Sequence, residues 1–554
     1  MRRLLGLWLA LMVALGMFTF AAAEAQPEIT NQEIYDLYLA AEDNVMPICA
    51  PGEITLTIYT ELDEYAANFM QSYEEHPIVK RVEEITGLDL KFIHPPTGDD
   101  GTFFNMTIAS GDYPDIFMAT TDSSRFDKIY PGGIQGAVQD KVLADNDALI
   151  RKYAKNYLYY MSIADKNTYR NTADDNGMLT LGTPFACDFI RGINNMGFIT
   201  RKDMLDRYGL AVPKTIDELT AVMRTLKENG VEVPMALGTL DNYRYNDSNF
   251  LSGAFGVVMN GYQVDENGKV FYSRANEGYK AYLNQMASWY NEGLIDRDFV
   301  NRDVKDALKM FYNDRTAFCA IGNWQTTEIV SLGTAENPDF AIYPVRVPRL
   351  TDPEAPYHLG NPLAEGGVGD MLISATCKHP EAAVKLLDYL YNMDLAQLAY
   401  WGVGELEDGT STYIINADGM HEYGDAIVGN PDWPYETIRH KYTLQIFQRQ
   451  LLEEPERFEY SDPLCQIAWD EWGYKTDRDG RLPESISRTV EEDTVFTRNQ
   501  VEIETYSDEM IYKFITGSLD VDAQWDSFVA SLYEMGLAEN EQIQQAAYER
   551  WLQR

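Results

Sequence analysis

Leu219, Val222, Met223 and Leu226 recur at the spacing i, i+3, i+4, i+7, which puts four apolar side chains on one face of an amphipathic helix. Thr215-Ile216-Asp217-Glu218 precedes them as a capping box, the threonine hydroxyl capping one amide and the glutamate reaching back to another. Upstream, strand-like and helical stretches take turns. The helical segment "NQEIYDLYLAAED" is followed by a strand over residues 53–59 and a loop, "TELDEY". The helix "HPIVKRVEEITG" leads to the strand "LDLKFIHP", and "GTFFNMTIASG" leads to a short apolar strand over residues 115–119. Such alternation predicts βαβ units and a mostly parallel sheet.

Downstream the pattern restarts. Residues 197–200 read as a strand, "VDENGKVFYS" as a hairpin turning on Asn267-Gly268, and "YKAYLNQMASWYNEGL" as a helix. "RTAFCAIGNW" is a strand opening onto Trp324, and "GGVGDMLISATCKHPEAAVKLLDYLYN" returns to strand then helix. Trp525, Phe528, Val529 and Leu532 form the core stripe of a helix near the end of the chain. The polar span from Asp408 to Asn499 gives the weakest pattern.

The ends and totals narrow the setting. Arg2-Arg3, an apolar run from Leu4 to Phe20 and Ala23-Glu24-Ala25 form a secretory signal peptide over residues 1–25. The mature chain is expected to be exported: extracellular, at the cell surface or periplasmic, with no lipid-bearing cysteine evident after the cleavage site. Five scattered cysteines are too few for a disulfide scaffold, and no Cys/His cluster suggests zinc. A net charge of −42, from 87 acidic and 45 basic residues, disfavours nucleic acid and anionic membranes. It also disfavours a polyanionic ligand unless a local basic pocket overcomes it. Aromatics at 12% in an exported acidic chain suggest sugar-stacking surfaces.

In open parallel sheets, ligands bind beyond the carboxyl ends of the strands. That rule nominates Tyr59 and Glu61 after the first strand, and Thr121, Asp122 and Arg125 after the third. Carboxylate and guanidinium can each take pairs of hydroxyl groups. The competing use of Thr121 and Asp122 is helix capping. Tyr243 and Tyr245 follow an apparent strand, "VPMALGT", in the second unit. Catalytic motifs are thin: G-x-S-x-G, a Walker-type G-K-[ST] and H-E-x-x-H do not occur, and Asp470-Glu471 is the carboxylate pair most suggestive of a glycosidase.

The order of "ASGDYPDIFM", "GFITRKDMLDRYGLAVPKTIDEL", "YNEGLIDRDFV", "TAFCAIGNW", "ISATCKHPEAAVKLLDYLYN", "YWGVGE" and "YKFITGSLDVDAQWDSFVASLYEMG" resembles the extracellular solute-binding proteins of ABC importers. The resemblance is to family 1, the carbohydrate-type, maltose-binding-protein-like class with its large lipoprotein-like members. It implies an α/β, two-lobe periplasmic-binding-protein-like fold of type II, each lobe a mostly parallel sheet flanked by helices, with several hinge crossovers. The expected N-terminal lobe is residues 26–198 plus 345–394, and the C-terminal lobe 199–344 plus 395–554. Crossings are placed near residues 197–200, 343–347 and 392–396.

The resemblance also implies a function: capture of a carbohydrate, an oligosaccharide, in an interlobe cleft and delivery to ABC transporter permease subunits. The protein is then a monomeric binding protein and not an enzyme, with no cofactor and no metal; Asp174-Asp175-Asn176-Gly177 lacks calcium-loop spacing. In this class an aromatic at the place of Trp324 stacks on sugar. Trp401, Glu405 in the adjacent glycine-flanked loop, and Glu365 beside Gly366-Gly367 complete the candidate contacts. Three other readings stay open: an extracellular glycoside-active enzyme, a non-transport surface adhesin or sensor partner, and a binding protein for peptide-like solutes.

Overall fold

The computed structural model describes residues 31–99, 101–118, 126–164, 170–173, 179–182, 196–237, 251–302, 304–360, 371–417, 421–448, 463–483 and 485–554. The expected signal peptide lies outside the described residues. In chain order the strands are β1 (Thr55–Tyr59), β2 (Asp89–Ile93), β3 (Ile116–Met118), β4 (Met196–Arg201), β5 (Tyr262–Val264), β6 (Val270–Tyr272), β7 (Phe318–Gly322), β8 (Ile342–Val345), β9 (Met371–Ile373), β10 (Tyr413–Ile415) and β11 (His421–Tyr423). Among the described residues no helix is long and apolar enough to cross a membrane.

The first sheet has the order β2-β1-β3-β9. β1 runs parallel to β2 and β3, with Leu56 opposite Leu90 and Ile58 opposite Ile116, while β9 runs antiparallel to β3. The helix Pro77–Thr86 makes the first crossover. Proline suits its first turn, where the missing N–H has no intrahelical partner, and His76 Nδ1 accepts the Ile78 N–H at 3.2 Å. Gly87 ends it at φ 77°, and a Cβ there would lie 2.1 Å from the Cys49 carbonyl oxygen, so only glycine fits. Asp115 ties β3 to β1 by accepting the Thr57 N–H and hydroxyl, both at 2.8 Å. Ile78, Val79 and Val82 press onto Leu56, Ile58 and Leu90, and Leu386, Leu387 and Leu390 extend the same core. Asp388 is buried beside them. It accepts N–H groups from Tyr157, Asn44 and Asn156 at 2.9–3.0 Å; burial pushes its pKa up to about 7, and those donors oppose the shift.

The second sheet has the order β7-β4-β8. β4 brings the chain in from the first lobe and runs antiparallel to both neighbours, with Gly197 opposite Ile321 and Ile199 opposite Pro344. Met235 adds parallel bridges to Phe318 and Ile295, so this sheet is mixed, whereas parallel pairing prevails in the first. The helix Ile216–Glu228 buries Leu219, Val222, Met223 and Leu226. Thr215 Oγ1 caps the Glu218 N–H, while the Glu218 carboxylate reaches the N–H of Lys214, one residue beyond the expected partner. The helix Pro463–Trp472 lies on β4. There Trp472 covers Gly197 so closely that a Cβ would meet its indole at 2.1 Å, and its Nε1 donates to the Phe198 carbonyl at 3.1 Å. The 26-residue helix Val490–Ile515 starts at a complete capping box, Thr489 with Glu492.

Core membership locates the crossings. Leu181 bridges to Met371 in the first lobe and Met196 opens the second sheet. Tyr357 and Leu359 still belong to the second core, and Met371 belongs to the first. Leu395, Ala396, Ala399, Leu444 and Phe447 all pack in the first core, because the helix Met393–Trp401 continues the apolar face of Pro380–Tyr389. Among the described residues, Phe447 still packs in the first core, while Ala468 and Trp472 of the helix Pro463–Trp472 pack with Ile199 and Ile321 of the second sheet.

Candidate functional site

The carboxyl end of β1 leads into a loop that Asp63 holds, its Oδ1 accepting the N–H groups of Tyr65 and Ala66 at 2.9 and 3.1 Å. Tyr59 sits just before it, 1% exposed, its ring packed among Phe103, Phe104 and Phe117. That burial, with Glu61 and Asp99 nearby, drives its pKa upward. Glu61 is half-buried on the loop. Beyond it Tyr65 rests on His440 at 5.0 Å and Phe69 on Trp433 at 4.9 Å. Tyr65 and Trp433 remain 37% and 39% exposed, leaving aromatic faces open at this edge of the lobe.

Thr121, Asp122 and Arg125, expected at the end of β3, lie outside the described residues, as do Tyr243, Tyr245, Glu365 and the Asp174–Gly177 turn. The chain resumes at Phe126 and reaches Tyr130, whose hydroxyl donates to Asp140 at 3.0 Å. Burial, then that carboxylate, push the Tyr130 pKa up to about 12. Trp324 stands on a turn over Asn323–Gln325 at the end of β7, where Gly322 pairs with Met196 and the chain enters the second lobe; its side chain is outside the described residues. Trp401 is 2% exposed, stacked on His421 at 5.2 Å and packed on Tyr423 at 4.7 Å, both from β11. Glu405 is exposed and bridges to Ser411 through its backbone.

A cavity of about 340 Å³ is built from both lobes, with Gln135 and Thr172 on one side and Asn260, Arg481, Arg488 and Arg554 on the other. Its walls are tied together across the lobes. Asn171 Oδ1 accepts the Trp551 Nε1–H at 3.1 Å and the Ser485 hydroxyl. Arg554 donates to the carbonyls of Arg170 and Ser485 at 2.9 and 3.0 Å. Arg488 pairs with Asp493 at 2.8 Å and lies 4.1 Å over the Phe496 ring. No local sequence pattern singles these residues out. Arg481 and Arg488 fall in the polar span of weak pattern, where the usable signal was the Thr489-x-x-Glu492 box announcing a helix.

Glu471 is occupied by Arg346 Nε at 3.0 Å and by the Tyr343 hydroxyl at 3.3 Å, as a structural ion pair would be. His358, Asp477 and Asp479 bring possible metal-ligand atoms within 4.8 Å of one another on the surface, with His358 Nδ1 already hydrogen-bonded to Asp477 at 2.8 Å. The cavity offers a wall rich in hydrogen-bond donors; the open faces of Tyr65 and Trp433 lie elsewhere, outside its lining.

Residues 66–397, more than half of the chain, match the family described as bacterial extracellular solute-binding protein. The chain is 25% identical over 331 residues to the fructooligosaccharide ABC transporter substrate-binding protein FusA of Streptococcus pneumoniae, covering 57% of this chain and 58% of that protein. It is 26% identical over 252 residues to lipoprotein LipO of Bacillus subtilis, 44% of each chain. The matches thus span about half the length of these curated relatives. The structure of S. pneumoniae FusA in complex with kestose superposes with a TM-score of 0.70 at 18% identity, over 90% of this chain and 99% of that one. The likeness is one of fold, the two-lobed type II periplasmic-binding-protein fold.

Proposed function

Because the chain belongs to the bacterial extracellular solute-binding proteins, we propose that it captures an oligosaccharide between its lobes and delivers it, chemically unaltered, to the permease of an ABC transporter. The observation that carries this reading is the cavity with walls from both lobes. A ligand that touches both walls does so fully only when the lobes are closed, so binding shifts the population toward the closed form. A micromolar site needs about −8 kcal/mol, within reach of ring stacking plus several buried hydrogen bonds. The protein acts as an exported monomer. Its further ligand contacts are Glu61 and the residues Thr121, Asp122, Arg125, Tyr243, Tyr245, Trp324 and Glu365.

The test is a thermal-shift screen against neutral and acidic oligosaccharides, followed by chromatography of the bound sugar. Stabilisation by a sugar that is recovered intact is the expected result, with Trp324→Ala weakening the shift. A flat screen against all sugars, or recovery of shortened products, contradicts the proposal. The first outcome points to a different solute and the second to a glycoside-active enzyme.

A further inference from the structure

The charge on the cavity wall runs against the charge of the chain. Acidic residues outnumber basic ones 87 to 45 overall, yet the described residues lining the cavity include three arginines and a single carboxylate, Asp493. That carboxylate is already engaged by Arg488 at 2.8 Å. We infer that this cavity receives an acidic oligosaccharide, one whose uronic-acid carboxylates are taken by Arg481, Arg488 and Arg554. The inference rests on the carbohydrate reading above and specifies its ligand class.

Three features support it. First, two of the three guanidinium groups are held in place by partners on the protein itself. Arg554 is fastened to two carbonyls and to the Ser487 hydroxyl at 2.9 Å, and Arg488 is clamped between Asp493 and the Phe496 ring. The backbone of Arg481 is pinned by its bridge to Gln263 and by its N–H to the Arg478 carbonyl at 2.9 Å. A fixed planar fork matches a carboxylate with two parallel hydrogen bonds.

Second, the opposite wall also presents a donor. Gln135 Nε2 is buried and has no hydrogen-bond partner among the described residues. Buried amide donors are nearly always satisfied, and a ligand oxygen in this cavity would satisfy this one. An ionised carboxylate only accepts hydrogen bonds, so it complements a wall made of donors. A neutral sugar, which donates as much as it accepts, is ordinarily met by carboxylates as well, and this chain has them in excess.

Third, the overall charge of −42 does not forbid the ligand. Exposed charges are screened within about 8–10 Å at ordinary ionic strength, whereas guanidinium groups in a cavity act at contact distance. The long-range field slows an anion's approach, and the local arginines decide whether it stays.

The experiment is titration calorimetry on the full chain with trimers of galacturonic, glucuronic and mannuronic acid, each beside its fully methyl-esterified, uncharged form. At least one acid is expected to bind about tenfold to hundredfold tighter than its ester, the range for losing charge-assisted hydrogen bonds, with a preference that weakens as salt rises. Arg481→Gln should remove about tenfold or more of that preference, judged at an unchanged melting curve. Arg481→Lys, which keeps the charge, should retain part of it and keeps the test valid if the glutamine variant folds poorly. Esters binding as tightly as acids, or an undiminished preference in both variants, overturns the inference. Neutral sugars binding while every acid fails overturns it and leaves the proposed function standing. Failure of every sugar brings down the proposed function itself.

Discussion

His76 carries two jobs that pull on its protonation. It is fully buried, and its Nδ1 must stay unprotonated to accept the Ile78 N–H and cap the helix Pro77–Thr86. Burial lowers its pKa from 6.5 to about 4. The unfolded chain therefore takes up a proton below about pH 6.5 that the folded chain refuses until about pH 4. The stability this residue contributes is present above that window and is lost as pH falls through it, by about 2 kcal/mol between pH 7.5 and 5. Asp388, raised to about 7, works the other way, losing stability as pH rises toward 7. His76→Asn keeps an N-cap oxygen and removes the titration. Urea unfolding at the two pH values is expected to give the variant a smaller acid loss than the wild type by roughly that amount; equal losses would mean His76 is charged in the folded state. Neither residue was legible as special. A lone histidine before Pro77 and an aspartate on an apolar helix face show in sequence only their type, and burial is what changes their chemistry.

At the scale of elements, the contact between β4 and the helix Pro463–Trp472 leaves no room for a side chain. A Cβ at Gly197 would overlap the Trp472 indole at 2.1 Å, and the indole cannot withdraw without breaking its bond to the Phe198 carbonyl. Gly197→Ala should cost about 1–3 kcal/mol through overpacking. The measurement is chemical denaturation with tryptophan fluorescence, which should also report an altered Trp472 environment; an unchanged midpoint would show that the helix slides freely. Thr489→Ala should cost about 1 kcal/mol by removing the cap of the 26-residue helix Val490–Ile515, and calorimetric unfolding checks it. The helix patterns of 216–228 and 277–292 and the strands at 55–59 and 318–322 were readable because their apolar spacing is local. The helix Pro463–Trp472 was not, since Trp472 is placed by the Phe198 carbonyl 274 residues earlier in the chain. Parallel pairing was readable in the first sheet, where helices separate successive strands. It was not in the second, where β4 enters against its neighbours.

For the whole molecule, two lobes were expected from the motif order, and two sheets with separate cores carry them. The lobe limits were less legible. A helix such as Met393–Trp401 has the same amphipathic pattern whichever core it joins, and only its packing on Pro380–Tyr389 decides. The candidate site divided in the same way. Positions at strand ends could be nominated by rule, and Trp401 proved to be packed on β11. The arginine-lined cavity arises from segments near residues 135, 172, 260, 481 and 554 that no local spacing unites. A chain of net charge −42 with an arginine-lined interlobe cavity should bind its ligand with salt-dependent affinity, a property of the assembled molecule rather than of any segment. The central claim is that the lobes close on a sugar. Its most direct test is the distance between spin labels at Met106 in the first lobe and Val501 in the second, both well exposed, measured with and without a saturating stabilising oligosaccharide. The account predicts a shorter and narrower distance distribution with sugar bound; an unchanged distribution at full occupancy would contradict it.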